Sequence, residues 1–387
     1  MRALIKLTIR RSGVLFFSAA LTIEIPQPTG LYYIGTRKFE IPFINTEDIF
    51  APGNTSTSFI ATLYYPTLQK PCGPGKPYLD PKDAVLWETY TNLTAGTLSG
   101  LTSHLQPDAP FAPAAESNVT FPTLLFGPGG TGPPTEVYTI LISELVSRGY
   151  VVAALDHPYE QPFVRYPNGT ALYGLPLDYV LTAAVAAATY EIRVKDNVRF
   201  IEIWPSLVSE LKAPWATKNL GAFGHSLGGA SAAGTALLIE PEILASTLNL
   251  DGSFLDATNN TATADTKRPT LLLGGSYHIP GEAGDISWTI FPEAQSSWWR
   301  TLLVQDALHL DFSDFTFWKT LGGPQLGAID GLRAIDVTRE FVTAFFNYTL
   351  LGQEEEILST PGSAWSEVVV YDGSEDMLPQ WSDVLYG

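Results

Sequence analysis

The chain is poor in sulfur and in positive charge. Its 387 residues include two methionines and one cysteine, Cys72, so no intrachain disulfide holds the fold together. Cys72 lies in a Pro/Gly loop, where a free, inert thiol is expected. Lysine and arginine number 22 against 40 acidic residues, for a formal net charge of −18 and a pI near 4.6. That balance argues against a nucleic-acid partner, because phosphate binding needs a basic face. It equally opposes docking on an anionic membrane, and solubility is reason enough for it. Only five histidines occur, at 104, 157, 225, 278 and 309. No His/Cys/carboxylate spacing resembles a zinc or calcium site, so neither metal nor cofactor is expected. No internal apolar run reaches membrane-spanning length, and no internal repeat is visible.

What is present points to a globular enzyme-sized domain. Hydrophobic residues make up 45% and aromatics 12%, enough for a sizeable core. Arg2, Lys6, Arg10 and Arg11 precede the apolar run from Val14 to Leu21, with small residues at Ser18, Ala19 and Ala20. That is the pattern of a signal peptide over about residues 1–20. Six N-x-S/T sequons, at Asn54, Asn92, Asn118, Asn168, Asn259 and Asn347, support a secreted, extracellular glycoprotein. Residues 21–387 read as one domain with a long Pro/Gly/Ser/Thr-rich insertion at about 66–121.

Two β-rich segments, Tyr32 to Phe43 and Ser58 to Tyr65, are expected to pair antiparallel ahead of that insertion, which carries a short helical patch, Asp83 to Tyr90. Beyond it the pattern alternates. Short apolar strands are expected at Thr123 to Phe126, Tyr150 to Leu155, Leu220 to Phe223, Leu244 to Leu250, Thr270 to Leu273 and Thr301 to Val304. Helical patterns fall at about Glu136 to Arg148, Tyr179 to Leu211, from the glycine-rich turn after Phe223 to Ile239, and Asp336 to Leu351. Alternation of this kind predicts a mostly parallel sheet of about eight strands wrapped by helices on both faces. The acidic tail, with Asp372, Glu375, Asp376 and Asp383, reads as a solvated end.

The chemistry centres on Gly224-His225-Ser226-Leu227-Gly228, a G-x-S-x-G between a strand and an Ala-rich helix. Alone the pentapeptide is weak, since serine often caps helices. Its setting is that of a nucleophile elbow in an α/β-hydrolase fold, with glycines where neighbouring backbone must pass closely. A serine hydroxyl needs a base, and the chain order nucleophile–acid–histidine leaves His278 and His309. His309 follows the last strand and is the better placed; His278 stands where an acid is more usual. His225 reads as a structural residue of the elbow, and His157 as a hydrogen-bonded loop histidine. Spacing leaves two positions open for the acid. Asp251 directly ends a strand, whereas Glu282 and Asp285 sit in a loop after the next one. An oxyanion needs two backbone donors: Leu227, after the serine, and one from the loop Gly127-Pro128-Gly129-Gly130-Thr131-Gly132, which lacks a P-loop's G-K-S/T ending.

These motifs, with Leu63-Tyr64-Tyr65-Pro66, Leu250-Asp251 and His309-Leu310-Asp311-Phe312-Ser313-Asp314-Phe315, resemble the platelet-activating factor acetylhydrolase family in its plasma-type and fungal secreted members. The resemblance covers most of the chain. It implies an α/β-hydrolase serine esterase with Ser226, Asp251 and His309 as catalytic residues and Gly130 and Leu227 as oxyanion donors. It further implies calcium-independent hydrolysis of short sn-2 acyl esters of phospholipids. Pro128 stands where the family often has histidine, and the sequons at Asn92 and Asn118 fall where animal members carry lipid-facing helices. The expectation is a monomer acting on a small ester or phospholipid substrate. A general carboxylesterase or cutinase-like polyester hydrolase is the alternative, ahead of an inactive binding protein of the same fold.

Overall fold

Residues 23–113, 120–254, 261–278 and 285–374 are described by the computed structural model. The strands of the main sheet are β1 (Tyr33–Asn45), β2 (Ser56–Thr67), β3 (Gln106–Pro107), β4 (Thr123–Gly127), β5 (Val151–Asp156), β6 (Leu220–His225), β7 (Leu244–Leu250), β8 (Thr270–Gly275), β9 (Trp299–Val304) and β10 (Val368–Gly373). They lie in the order β10-β9-β8-β7-β6-β4-β5-β2-β1-β3. Neighbours from β9 through to β5 are all parallel. Antiparallel strands extend the block at both ends, β10 on β9 and β2 then β1 beyond β5. Every residue of β4, β5 and β6 is buried, which is why these strands read as unbroken apolar runs rather than alternating ones.

The helices are α1 (Pro81–Tyr90), α2 (Thr139–Ser147), α3 (Ala183–Leu211), α4 (Leu227–Ala236), α5 (Ser287–Glu293), α6 (Phe315–Thr320) and α7 (Gly331–Leu351). Two cores result, one on each face of the sheet. On one face Leu141 and Leu145 of α2 and Phe341 and Phe345 of α7 pack with Leu124 and Phe126. On the other, Phe200 and Trp204 of α3 and Ala232 of α4 meet Leu125. Leu124 and Leu125 thus serve opposite cores, as the period of two in a strand requires. Truncating an anchor such as Phe345 to alanine costs about 3–5 kcal/mol.

The architecture expected from the sequence is present, with a sheet of ten strands rather than about eight. One addition is the two-residue edge strand β3. The other is β10, whose three consecutive valines, Val368 to Val370, run into the acidic end that reads as solvated; Asp372 is exposed, but on a strand. Helix starts also shift toward their caps. Thr182 Oγ1 accepts from Val185 N–H, so α3 begins at Ala183, and Asp330 caps α7, which begins at Gly331 rather than Asp336. The elbow helix ends at Ala236, short of Ile239.

The insertion carries α1 and the strands Lys76–Pro77 and Leu101–Ser103, which form a small sheet with Ile23–Glu24 from ahead of β1. Trp87 packs on Phe315 and Trp318 of α6, with ring centroids 5.1 and 6.1 Å away, and Tyr78 donates to Asp314 at 2.8 Å. It is therefore fastened beside the loop that carries His309. Residues 1–20, Asn118, Asn259 and Glu282 lie outside the described residues.

Candidate active site

Ser226 is the single residue between the end of β6 and the start of α4, with φ 56° and ψ −124°. A non-glycine residue held there costs on the order of 1–3 kcal/mol. The surroundings hold it: Ser226 N–H donates to Leu250 O at 2.7 Å, and its carbonyl accepts from Gly229 and Ala230 at 3.0 and 3.1 Å. The flanking glycines are a matter of space. A Cβ on Gly224 would lie 2.5 Å from Gly127 O, and one on Gly228 only 2.0 Å from it. Backbone packs directly on backbone there, which sets the first turn of α4 against the end of β4.

Asp251 follows β7, also at positive φ (56°), and His309 opens the short turn His309–Phe312 beyond β9. Their side chains meet, with His309 Nδ1 2.6 Å from Asp251 Oδ2. Burial would raise the Asp251 carboxyl, but hydrogen bonds from His278 and His309 outweigh it and hold the group well below the usual carboxylate range. Nδ1 of His309 therefore carries the proton and donates it to Asp251, leaving Nε2 free to accept one. Ser226, Leu227, Asp251 and His309 line one cavity of about 510 Å³, with Leu181 and Leu308 at its apolar rim, 41% and 55% exposed. A serine hydroxyl, an oriented imidazole and its carboxylate partner thus share one cavity, an arrangement suited to acyl transfer.

The second acid position is connected to the first. His278, stacked on Trp288 with centroids 3.9 Å apart, places Nε2 3.1 Å from Asp251 Oδ1 and Nδ1 3.1 Å from Asp285 Oδ2. Burial would lower the imidazole, yet the two carboxylates push it up to about 9, so it is cationic at neutral pH. Asp285 is held at about 2, the hydrogen bond from His278 outweighing burial. Asp285 thus buttresses Asp251 through His278 rather than competing for His309. Nothing in the spacing of these residues signals that link.

His225 braces the elbow, and it too is placed by geometry that spacing does not reveal. Its Nε2 is 2.8 Å from His309 O and its Nδ1 2.9 Å from Tyr138 Oη, which accepts from Gly129 N–H at 3.0 Å. Burial, and next the nearby His309, push its pKa down to about 3, so it stays neutral. With a carbonyl facing Nε2, that nitrogen is the donor, and Tyr138 O–H points at Nδ1. Of the remaining histidines, His157 pairs with Asp196 at 2.7 Å and His104 is buried; neither lines the cavity. Among the described residues no cluster of His, Cys, Asp or Glu could hold a metal ion. Of the described sequons, Asn54, Asn92 and Asn168 are exposed. Asn347 differs: it is half-buried inside α7, accepts from Tyr150 at 2.8 Å and donates to Glu355 at 2.7 Å.

Comparison with known proteins gives the same chemistry twice. No family model matches the chain. Over 272 residues it is 28% identical to a probable 1-alkyl-2-acetylglycerophosphocholine esterase of Arthroderma benhamiae, covering 66% of this chain and 67% of that one. It superposes on a solved ferulic acid esterase from Streptomyces cinnamoneus with a TM-score of 0.73 at 27% identity, across 91% of this chain and 100% of the other. The chain is a carboxylic ester hydrolase of the α/β-hydrolase fold. Its resemblance to platelet-activating factor acetylhydrolases stands, because the fungal relative is named for the acetyl ester those enzymes cleave.

Proposed function

We propose that the protein is a secreted serine esterase that hydrolyses short sn-2 acyl esters of phospholipids without calcium. The observation that carries the reading is the Ser226 elbow opening into the same cavity as a His309–Asp251 pair at 2.6 Å. Ser226 Oγ attacks the ester carbonyl as His309 Nε2 takes its proton, and Asp251 stabilises the imidazolium. The tetrahedral oxyanion is held by Leu227 N–H, an orphan amide in the first turn of α4, and by Gly130 N–H. Collapse returns the proton to the leaving alcohol. Water, activated by the same imidazole, then frees the acid and Ser226. Backbone amides and one imidazole complete this cycle, so no step calls for calcium.

The substrate class is supported by the fungal relative and by an apolar rim suited to a short acyl chain. Exposure of Asn54, Asn92 and Asn168 supports a glycosylated, extracellular enzyme. One observation favours a second reading, a general carboxylesterase. Among the described residues no lysine or arginine lines the cavity to meet a phosphate, and the solved neighbour is named for a phenolic ester. Assay of the purified protein on an sn-2-acetyl phospholipid, a feruloyl ester and p-nitrophenyl esters of rising chain length, each with and without chelator, separates the two. The proposal expects the acetyl phospholipid to give the highest kcat/KM, unchanged by chelator. A feruloyl ester preferred tenfold, or rates that rise toward palmitoyl emulsions, would replace it.

A further inference from the structure

The loop proposed to hold the oxyanion rests on a buried ion pair that the mechanism above does not use. Arg193, inside α3, and Glu160 are 0% and 1% exposed at their side chains and sit 2.6 Å apart. A charged pair so deeply buried persists only if further hydrogen bonds satisfy its remaining donors and acceptors. Here those partners are the oxyanion loop itself. Arg193 Nη1 donates to Pro128 O, and Nη2 donates to Gly129 O at 2.9 Å. Nε and Nη2 also donate to the two Glu160 oxygens, at 2.9 and 2.6 Å. Glu160 Oε1 in turn accepts Thr131 N–H at 2.7 Å.

We propose that Arg193, anchored by Glu160, is the positioning residue that aims Gly130 N–H into the catalytic cavity. Peptide geometry sets this direction. In a trans peptide the N–H points opposite to the preceding carbonyl. The Pro128–Gly129 peptide shows the rule at work: its carbonyl faces Arg193, and its N–H reaches Tyr138 Oη on the other side at 3.0 Å. The next carbonyl, Gly129 O, also faces Arg193, so Gly130 N–H is turned away from the guanidinium. With the amides of Gly129 and Thr131 taken, Gly130 N–H is the one of three consecutive donors without a partner among the described residues. Gly130 sits against the residue after the nucleophile, since a Cβ there would lie 3.0 Å from Leu227 Cδ2. Only a planar fork holds two successive carbonyls and a carboxylate at once; a lysine ammonium cannot.

This inference rests on the serine-esterase reading, so Ser226→Ala is assayed beside the test variants. Arg193→Lys keeps the charge near Glu160 but releases the fork. Because an oxyanion donor acts in the transition state, kcat on p-nitrophenyl acetate should fall about 10²-fold with KM changed less than threefold. Affinity for a trifluoromethyl ketone, which binds as the oxyanion adduct, should fall in parallel with kcat, whereas affinity for the product acid should hold. A folded Arg193→Lys protein with wild-type kcat overturns the proposal, as does a loss that appears equally in product binding. If Arg193→Lys does not fold, Glu160→Gln carries the test: it keeps the shape and should still lose at least about tenfold in kcat at constant KM, and wild-type kcat there is refuting. An active Ser226→Ala would instead remove the esterase reading beneath it.

Discussion

Asp251→Asn is the most informative single change because the structure dictates which way the new amide must face. Asp251 Oδ1 accepts from Gly275 N–H at 2.6 Å and lies 3.1 Å from His278 Nε2. Those two donors hold the asparagine oxygen in the same place. The NH2 group then takes the Oδ2 position, 2.6 Å from His309 Nδ1, donor against donor. The imidazole escapes by moving its proton to Nε2, and that nitrogen can then no longer accept from Ser226. The expected loss is about 10⁴-fold in kcat, equivalent to about 5.5 kcal/mol in the barrier. Substrate binding does not depend on the tautomer, so KM should change little. Stopped-flow and steady-state assay on a soluble p-nitrophenyl ester, with circular dichroism to establish folding, reads both quantities. Asp285→Asn, one step removed through His278, should lose less than tenfold. The reverse ranking, or an Asp251→Asn enzyme within tenfold of the wild type, would show that Asp251 does not orient His309.

Three further outcomes follow from the same geometry. His278 has a pKa of 6.5 unfolded and about 9 folded, so the stability it contributes is complete below about pH 6.5 and lost as pH rises through about 9; it is worth on the order of 3 kcal/mol. The wild type should therefore lose its melting-temperature advantage over His278→Gln between about pH 7 and 10, and equal pH slopes would contradict the cationic assignment. Gly228→Ala puts a methyl carbon 2.0 Å from Gly127 O, backbone against backbone, and should destabilise by more than about 3 kcal/mol or yield no soluble protein; an unchanged melting temperature would undo the packing argument. Protein secreted from a eukaryotic host should drop in apparent mass on glycosidase treatment, with glycopeptides at Asn54, Asn92 and Asn168 and none at Asn347; an unmodified product would count against the secretory proposal.

The parallel strands and the elbow were legible because each is a local signal. β4 to β9 are short apolar runs bounded by turn residues, and G-x-S-x-G between strand and helix fixes a known turn. β10 was hidden because its three consecutive valines, Val368 to Val370, show no period-two alternation and run straight into an acidic tail. The partners that brace the site from elsewhere in the chain were not legible. His278 bridges Asp251 and Asp285 across separate strand ends, and Arg193 reaches the loop at Pro128 from 65 residues along the chain. Such contacts depend on where α3 and β8 fall relative to β4 and β7, which no spacing within one segment encodes. Spacing leaves Asp251 and Asp285 as rivals; the structure connects them through His278 in one chain of hydrogen bonds.

Covalent labelling tests Ser226 as the nucleophile of an esterase without any assumption about the natural substrate. A fluorophosphonate incubated with the purified protein, followed by proteolysis and mass spectrometry, should modify the peptide containing Gly224 to Gly228 at Ser226 alone, in step with loss of p-nitrophenyl acetate hydrolysis. Ser226→Ala should take up no label and show no turnover above background. Labelling at another residue, or an alanine variant that still hydrolyses the ester, would show that Ser226 is not the nucleophile.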